Sequence, residues 1–312
     1  MNKLLALVVI VTLVLAALVG CAQGGQASQD NPTTQGTESP QSVVDQDASN
    51  FNTNREITVI SRESGSGTRG AFIELTGVEV RGEDGTVTDM TSLEATIGNG
   101  TNAIMTNVSS DVYAIGYIST GSVNDTIRPL SVDGVAPTAE NILAGSYVIA
   151  RPFIIVTAED IDPLTREFID FIMSELGQEI VAERYIPAVL NAPAFQSAGH
   201  SGTIVIGGST SVAPVMERLS EGYRALNPNA NIEVHVSGSG AGITGTIDGL
   251  LDIGMSSREI RDSEMEQLGQ QITICMDGIA VIVNNNNPIT DITSEQVRQV
   301  FTGELSRWAD IQ

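Results

Sequence analysis

The chemistry in this sequence is concentrated in hydroxyls and glycines, gathered into three loops with arginines at one of them. The loops are SRESGSGTRGAF (residues 61–72), IGGSTSVAPVMERL (206–219) and VSGSGAGITGTI (236–247). Each follows a short β-branched run and precedes a helix-like stretch. Glycine lets the backbone approach a ligand closely and take positive φ. The first N–H groups of a helix have no intrahelical partner and point outward. Hydroxyls add donors that rotate, and the positive end of the helix dipole favours an anion. Ser and Thr also cap helices and Gly also makes turns, so one such loop says little. Three of one design in one chain point to a small oxyanion held by neutral donors and one or two arginines.

Other chemistries fit poorly. There is no G-x-x-x-x-G-K-[ST] phosphate loop. GSGTRG passes as a loose G-x-G-x-x-G, but the acidic residue of a dinucleotide fold does not follow at the right distance. The two histidines, His200 and His235, lack metal-ligand spacing and read as surface or sheet residues. No G-x-S-x-G elbow has a convincing base. The expectation is a binding protein without catalytic residues, cofactor or metal. A net charge of −23 opposes a nucleic-acid surface or charge-driven docking on anionic lipid, and reads as a solvated surface.

The elements that must position these loops alternate. Strands are predicted at 57–60, 112–118, 148–156, 203–206, 232–236 and 279–283, and helices from 71, over 164–183, 212–226 and 243–251, and over 293–301 behind a capping-box-like TSEQ. This is an α/β pattern with parallel or mixed sheets covered on both faces. Aromatic residues make up only 4% of the chain, so the core is built from Val, Ile, Leu and Ala.

Ahead of the α/β region, residues 1–20 read as a secretory signal peptide: Lys3, then an apolar run ending Leu18-Val19-Gly20-Cys21, similar to a bacterial lipobox. Cys21 is then the lipidated first residue of the mature chain. The alternative, a membrane span, needs roughly 17–25 apolar residues, slightly more than Leu4 to Val19 supply. Residues 22–54, rich in Gln, Ser, Thr, Asn, Gly and Asp, read as a flexible tether. Cys275 lies in an apolar run and reads as a small buried hydrophobe, so no disulfide is expected.

GSTSVAPVMERL, GSGAGI, DIGMSSRE, DGIAVIVN, VRQVFTGELSRW, SRESGSGTRGAF, AIGYIS and PTAENILAGSY together resemble the phosphate-binding lipoprotein of Pst-type ABC importers, over nearly all of residues 55–312. The resemblance implies the two-lobed periplasmic-binding-protein fold of type II, closing on its ligand by a hinge. It also implies a monomer that takes inorganic phosphate outside the cytoplasm, at the cell surface or in the periplasm, and delivers it to an ABC permease. Carried over, the ligand set is Arg62, Ser66, Gly67, Thr68, Thr210, Ser211, Ser239 and Ser257, with Arg62 the charge-assisted contact.

Two features depart from the family pattern. Ser257 stands where well-known members carry an aspartate that accepts the proton of bound phosphate, and Ser64 where another aspartate often precedes the GSGT. A serine still accepts a hydrogen bond but repels a fully ionised anion less, which keeps sulfate in play as an alternative ligand. The order is also changed: family members begin with GSTSV and place SRESGSGTR after FTGE…W, whereas here SRESGSGTR comes first. The chain therefore looks circularly permuted, with one lobe of 55–147 plus 284–312 and another of 148–283. The rival reading is a longer protein with a further SRESGSGTR-like half beyond Gln312. One other function remains open, a phosphate sensor or surface protein on the same fold; a phosphoester-processing enzyme would need a base or metal in the cleft, and the sequence offers none.

Overall fold

The computed structural model describes residues 51–82 and 86–311. The signal peptide, Cys21 and residues 22–50 of the expected tether lie outside the described residues.

Two pseudo-equivalent α/β units carry the loops. In the first, β1 (Thr58–Arg62) leads into α1 (Gly67–Leu75), β2 (Thr96–Gly98) into α2 (Thr101–Ser110), and β3 (Ala114–Ser119) follows. In the second, β5 (Gly202–Gly208), α5 (Ala213–Leu226), β6 (Ala230–Val236), α6 (Ser239–Ile247) and β7 (Ile253–Ser256) repeat the scheme. Both units are parallel, with the strand that opens the unit in the middle: β2-β1-β3 and β6-β5-β7. Parallel strands joined through helices are buried on both faces, and β3 accordingly has all six residues buried. In such units, ligands bind outside the carboxyl ends of the strands where the strand order reverses. The loops after β1, β2, β5 and β6 all leave from those ends.

Two long strands join the units. β4 (Ala150–Thr157) pairs antiparallel with β7, and β8 (Gln270–Asn284) pairs antiparallel with β4 along its first part and with β3 along its last. The full order is β6-β5-β7-β4-β8-β3-β1-β2. The fold is two-lobed. One apolar core gathers Phe153, Phe168, Phe171, Met216, Tyr223 and Ile274; the other gathers Phe72, Tyr117, Tyr147, Ile279, Phe301 and Trp308. The crossings lie between Ile149, just before β4, and Phe153 on β4, and between Cys275 and Ile279 on β8. At both, the register pairs Arg151 with Asp277.

Several elements differ from their sequence signals. The run expected as one helix over 164–183 is two, α3 (Pro163–Ile172) and α4 (Glu175–Ala182). Ser174 breaks it: its hydroxyl donates to the Phe171 carbonyl and accepts from the Gly177 N–H, capping the second helix. β8 is far longer than 279–283, because its polar residues Gln270, Gln271 and Asp277 interrupt the apolar signal without interrupting the ladder. Ile279, Val281 and Val283 consequently pack in the core of the first unit, so the crossing falls near Asp277 rather than after Val283. Residues 51–54 of the expected tether are folded: the Phe51 ring lies 5.0 Å from Tyr113 and 5.8 Å from Trp308, and the Thr53 carbonyl accepts from the Ala309 N–H. The TSEQ signal is a true capping box, opening α7 (Ser294–Thr302) with Thr293 and Gln296 in reciprocal bonds.

Candidate functional site

The three hydroxyl loops converge between the lobes. Thr68 from α1 meets Ser211 of the opposite lobe at 2.8 Å, oxygen to oxygen, and Ser257 at 3.4 Å. Ser257 accepts from Ser209 at 2.8 Å and lies 3.4 Å from the Ser239 hydroxyl, which itself accepts from the Ser257 N–H. All five side chains are buried. Gly67 is required by this contact: a Cβ there would lie 2.9 Å from the Ser239 Cβ and 2.8 Å from the Ser257 hydroxyl. The backbones touch as well, since the Gly240 N–H donates to the Gly65 carbonyl.

Arg62 supplies the charge and is 1% exposed. Its Nε and Nη2 donate to the two oxygens of Glu63, each at 2.8 Å, and Nη2 also donates to Thr210 across the cleft at 2.8 Å. Its Nη1 is buried without a hydrogen-bond partner. A buried guanidinium nitrogen left unpaired is costly, and an anion is the partner that relieves the cost most fully. Burial pushes the Glu63 carboxyl up, but the Arg62 guanidinium and the Gly100 N–H outweigh it and hold Glu63 below the usual range, so the fork is ionic. Behind it, the Tyr117 hydroxyl accepts from the Arg62 N–H, and its ring stacks on Phe72 at 3.9 Å. These contacts fix where β1 ends and where the guanidinium stands.

Of the residues singled out by sequence, Arg62, Gly67, Thr68, Thr210, Ser211, Ser239 and Ser257 come together in this one cluster. Ser66 is buried beside it with a second duty: as N-cap of α1 its oxygen accepts from the Arg69 N–H, which leaves its proton to donate. Three neighbours escaped the sequence reading. Ser209 belongs to the GSTS loop, where nothing in the sequence sets it apart from Thr210 and Ser211 beside it. Glu63 was hidden by its exposed-looking charge. Thr101, 3.4 Å from both Thr210 and Ser211, closes the stretch IGNGT, a fourth glycine and hydroxyl loop on a strand too short to register as one.

The chain has clear relatives. The sequence model of the PBP superfamily domain matches residues 29–175 and 193–312. Phosphate-binding protein PstS 2 of Streptococcus agalactiae is 46% identical over 257 residues, covering 82% of this chain and 87% of that protein. Phosphate-binding protein PstS 2 of Streptococcus pneumoniae is 40% identical over the same share of this chain and 88% of its own. Among solved structures, the phosphate-binding protein of a phosphate ABC transporter from Streptococcus pneumoniae superimposes with a TM-score of 0.67 at 40% identity, covering 82% of this chain and all of that one.

Proposed function

This chain belongs to the PBP superfamily, among its PstS-type phosphate-binding proteins, and from that premise we propose that it captures inorganic phosphate outside the cytoplasm and hands it to an ABC permease. The observation that carries the proposal is Arg62: a buried guanidinium with one unpaired nitrogen, set among hydroxyls from both lobes. An oxyanion entering this cluster exchanges hydroxyl–hydroxyl bonds for hydroxyl–oxyanion bonds. It also ties the lobes together through Thr68 on one side and Ser211, Ser239 and Ser257 on the other. The ligand set is Arg62, Ser66, Gly67, Thr68, Thr210, Ser211, Ser239 and Ser257, and its work is binding rather than catalysis. Among the described residues no helix is long and apolar enough to cross a membrane; attachment is assigned to a lipid on Cys21, with the protein acting as a monomer.

The exchanged order of loops is part of the same reading. Residues 53–57 hydrogen-bond to 306–309 through Ile57 to Ser306, Trp308 to Arg55 and Ala309 to Thr53. Chain segments that lie side by side in this way are what an exchange of halves needs. Calorimetric titration with phosphate and with sulfate over pH 6–9 tests the ligand. Phosphate binding more tightly than sulfate is expected; tighter sulfate binding overturns the assignment, with Ser257 the residue responsible.

A further inference from the structure

We propose that Thr101, at the start of α2, is a further ligand of the bound oxyanion and completes a fourth donor loop; this rests on the phosphate reading above. The two α/β units place their loops equivalently. In the second unit, the loop after the middle strand gives Thr210 and Ser211, and the loop after the edge strand gives Ser239. In the first unit, the loop after β1 gives Arg62 and Thr68, and the loop after β2 is Gly98-Asn99-Gly100-Thr101. The correspondence extends to the backbone. Gly238, N-cap of α6, has φ +106° and ψ +154°; Gly100, N-cap of α2, has φ +83° and ψ +166°. Neither cap offers a side chain to the helix N-terminus, and both conformations belong to glycine. Ser239 and Thr101 are the first residues of their helices and are buried, at 0% and 5% exposure.

The second line of evidence is what faces Thr101. Its hydroxyl lies 3.4 Å from Thr210 and 3.4 Å from Ser211, both on the opposite lobe. Thr210 in turn accepts from Arg62, whose Nη1 is the unpaired buried nitrogen of the cluster. The Gly100 N–H donates to Glu63 at 3.0 Å, so the same loop steadies the carboxylate that orients Arg62. A hydroxyl at this place is within reach of the anion that Thr210 and Arg62 would hold.

The test is titration of the full chain with inorganic phosphate, comparing wild type, Thr101→Val and Thr101→Ser, with thermal midpoints in phosphate-free buffer. Valine keeps the volume and branching and removes the hydroxyl; serine keeps the hydroxyl. One hydrogen bond to a charged ligand corresponds to roughly a 10- to 100-fold weaker Kd for Thr101→Val. Thr101→Ser should stay within about threefold of wild type by the same reasoning, and the ligand-free midpoints should coincide. Thr101→Val binding as wild type does overturns the inference and leaves the phosphate reading standing. A loss shared equally by Thr101→Ser also overturns it, since the methyl rather than the hydroxyl would then matter. Wild-type protein that binds no phosphate overturns both.

Discussion

Replacing Gly67 by alanine should hold the lobes slightly apart and weaken ligand binding without unfolding the protein. Gly67 opens α1, where alanine is intrinsically favoured over glycine by roughly 0.5–1 kcal/mol. Taken alone, the first lobe is therefore no less stable with the substitution. The cost falls between the lobes. The added methyl would stand 2.9 Å from the Ser239 Cβ, against an ordinary contact of 3.4–4 Å, and closer still to the Ser239 hydroxyl. The hydroxyl can rotate away, but the Cβ is fixed by the start of α6. The lobes must part by at least about 0.5 Å, and more once the hydroxyl is accommodated, in a region packed to near-crystalline density. Hydrogen bonds weaken steeply with such displacement, and Ser239 and Ser257 are the two donors pushed away. At roughly 1.5–3 kcal/mol for each bond to a charged acceptor, losing both weakens phosphate binding about 10²–10⁴-fold. Calorimetric titration measures the affinity, thermal unfolding without ligand measures the fold, and small-angle scattering with and without phosphate measures closure. If Gly67→Ala binds within about threefold of wild type, the jaws do not meet as described and the site must be redrawn.

Two further predictions concern the scaffold. Asp277 is wholly buried where β8 crosses between the lobes, taking bonds from Arg151, Ser119, Thr120 and the Gly121 N–H. Asp277→Asn leaves the Arg151 cation without its counter-charge and should cost about 3–5 kcal/mol in urea unfolding, whereas Arg151→Met with Asp277→Asn should recover a large part of that loss. Glu167 is held down to about 2 from an ordinary 4.5: burial opposes ionisation, but the Ser197 hydroxyl, the His200 ring and the His200 N–H outweigh it. Because the folded value is the lower one, the stability it contributes is present above pH 4.5 and lost as pH falls toward 2. Unfolding of Glu167→Gln should therefore vary less with pH across that window, with wild type ahead by about 1–2 kcal/mol at pH 6.

The α/β class and three of the four loops were legible because each rests on a local signal: β-branched runs, helical spacing, and glycine and hydroxyl residues where a strand gives way to a helix; the two lobes came only with the family resemblance. What the sequence hid was nonlocal. β8 carries polar residues because it runs through a crossing where Asp277 meets Arg151, a pairing of residues 126 apart. The break between α3 and α4 depends on Ser174 turning its hydroxyl onto the Phe171 carbonyl rather than outward. Thr101 gives no sequence signal because β2 is three residues long with two of them exposed, too weak a strand to announce the loop behind it. Glu63 looks like any surface glutamate until folding sets Gly100 beside it.

A chain of net charge −23 that binds an anion has to do so locally, and the structure indicates how. Among the described residues the one cation inside the cluster, Arg62, is already matched by Glu63, so the site is close to neutral before the ligand arrives. Arg69 and Arg258, near the mouth, are matched in turn by Asp89 and Glu264. The attraction must come from groups acting at short range, namely the unpaired Nη1 of Arg62, the buried hydroxyls and the N-termini of α1, α2, α5 and α6, which are fixed in place and shielded from solvent. Bulk salt screens charges beyond about 8 Å at physiological strength, and it therefore screens the repulsion of the acidic surface more than the hold of the cluster. Raising sodium chloride from low to physiological concentration should leave phosphate affinity unchanged or tighten it, with faster association in stopped-flow measurements. A basic footprint would behave oppositely and lose affinity steeply with salt. A steep loss would mean that free arginines, rather than paired ones and dipoles, carry the binding.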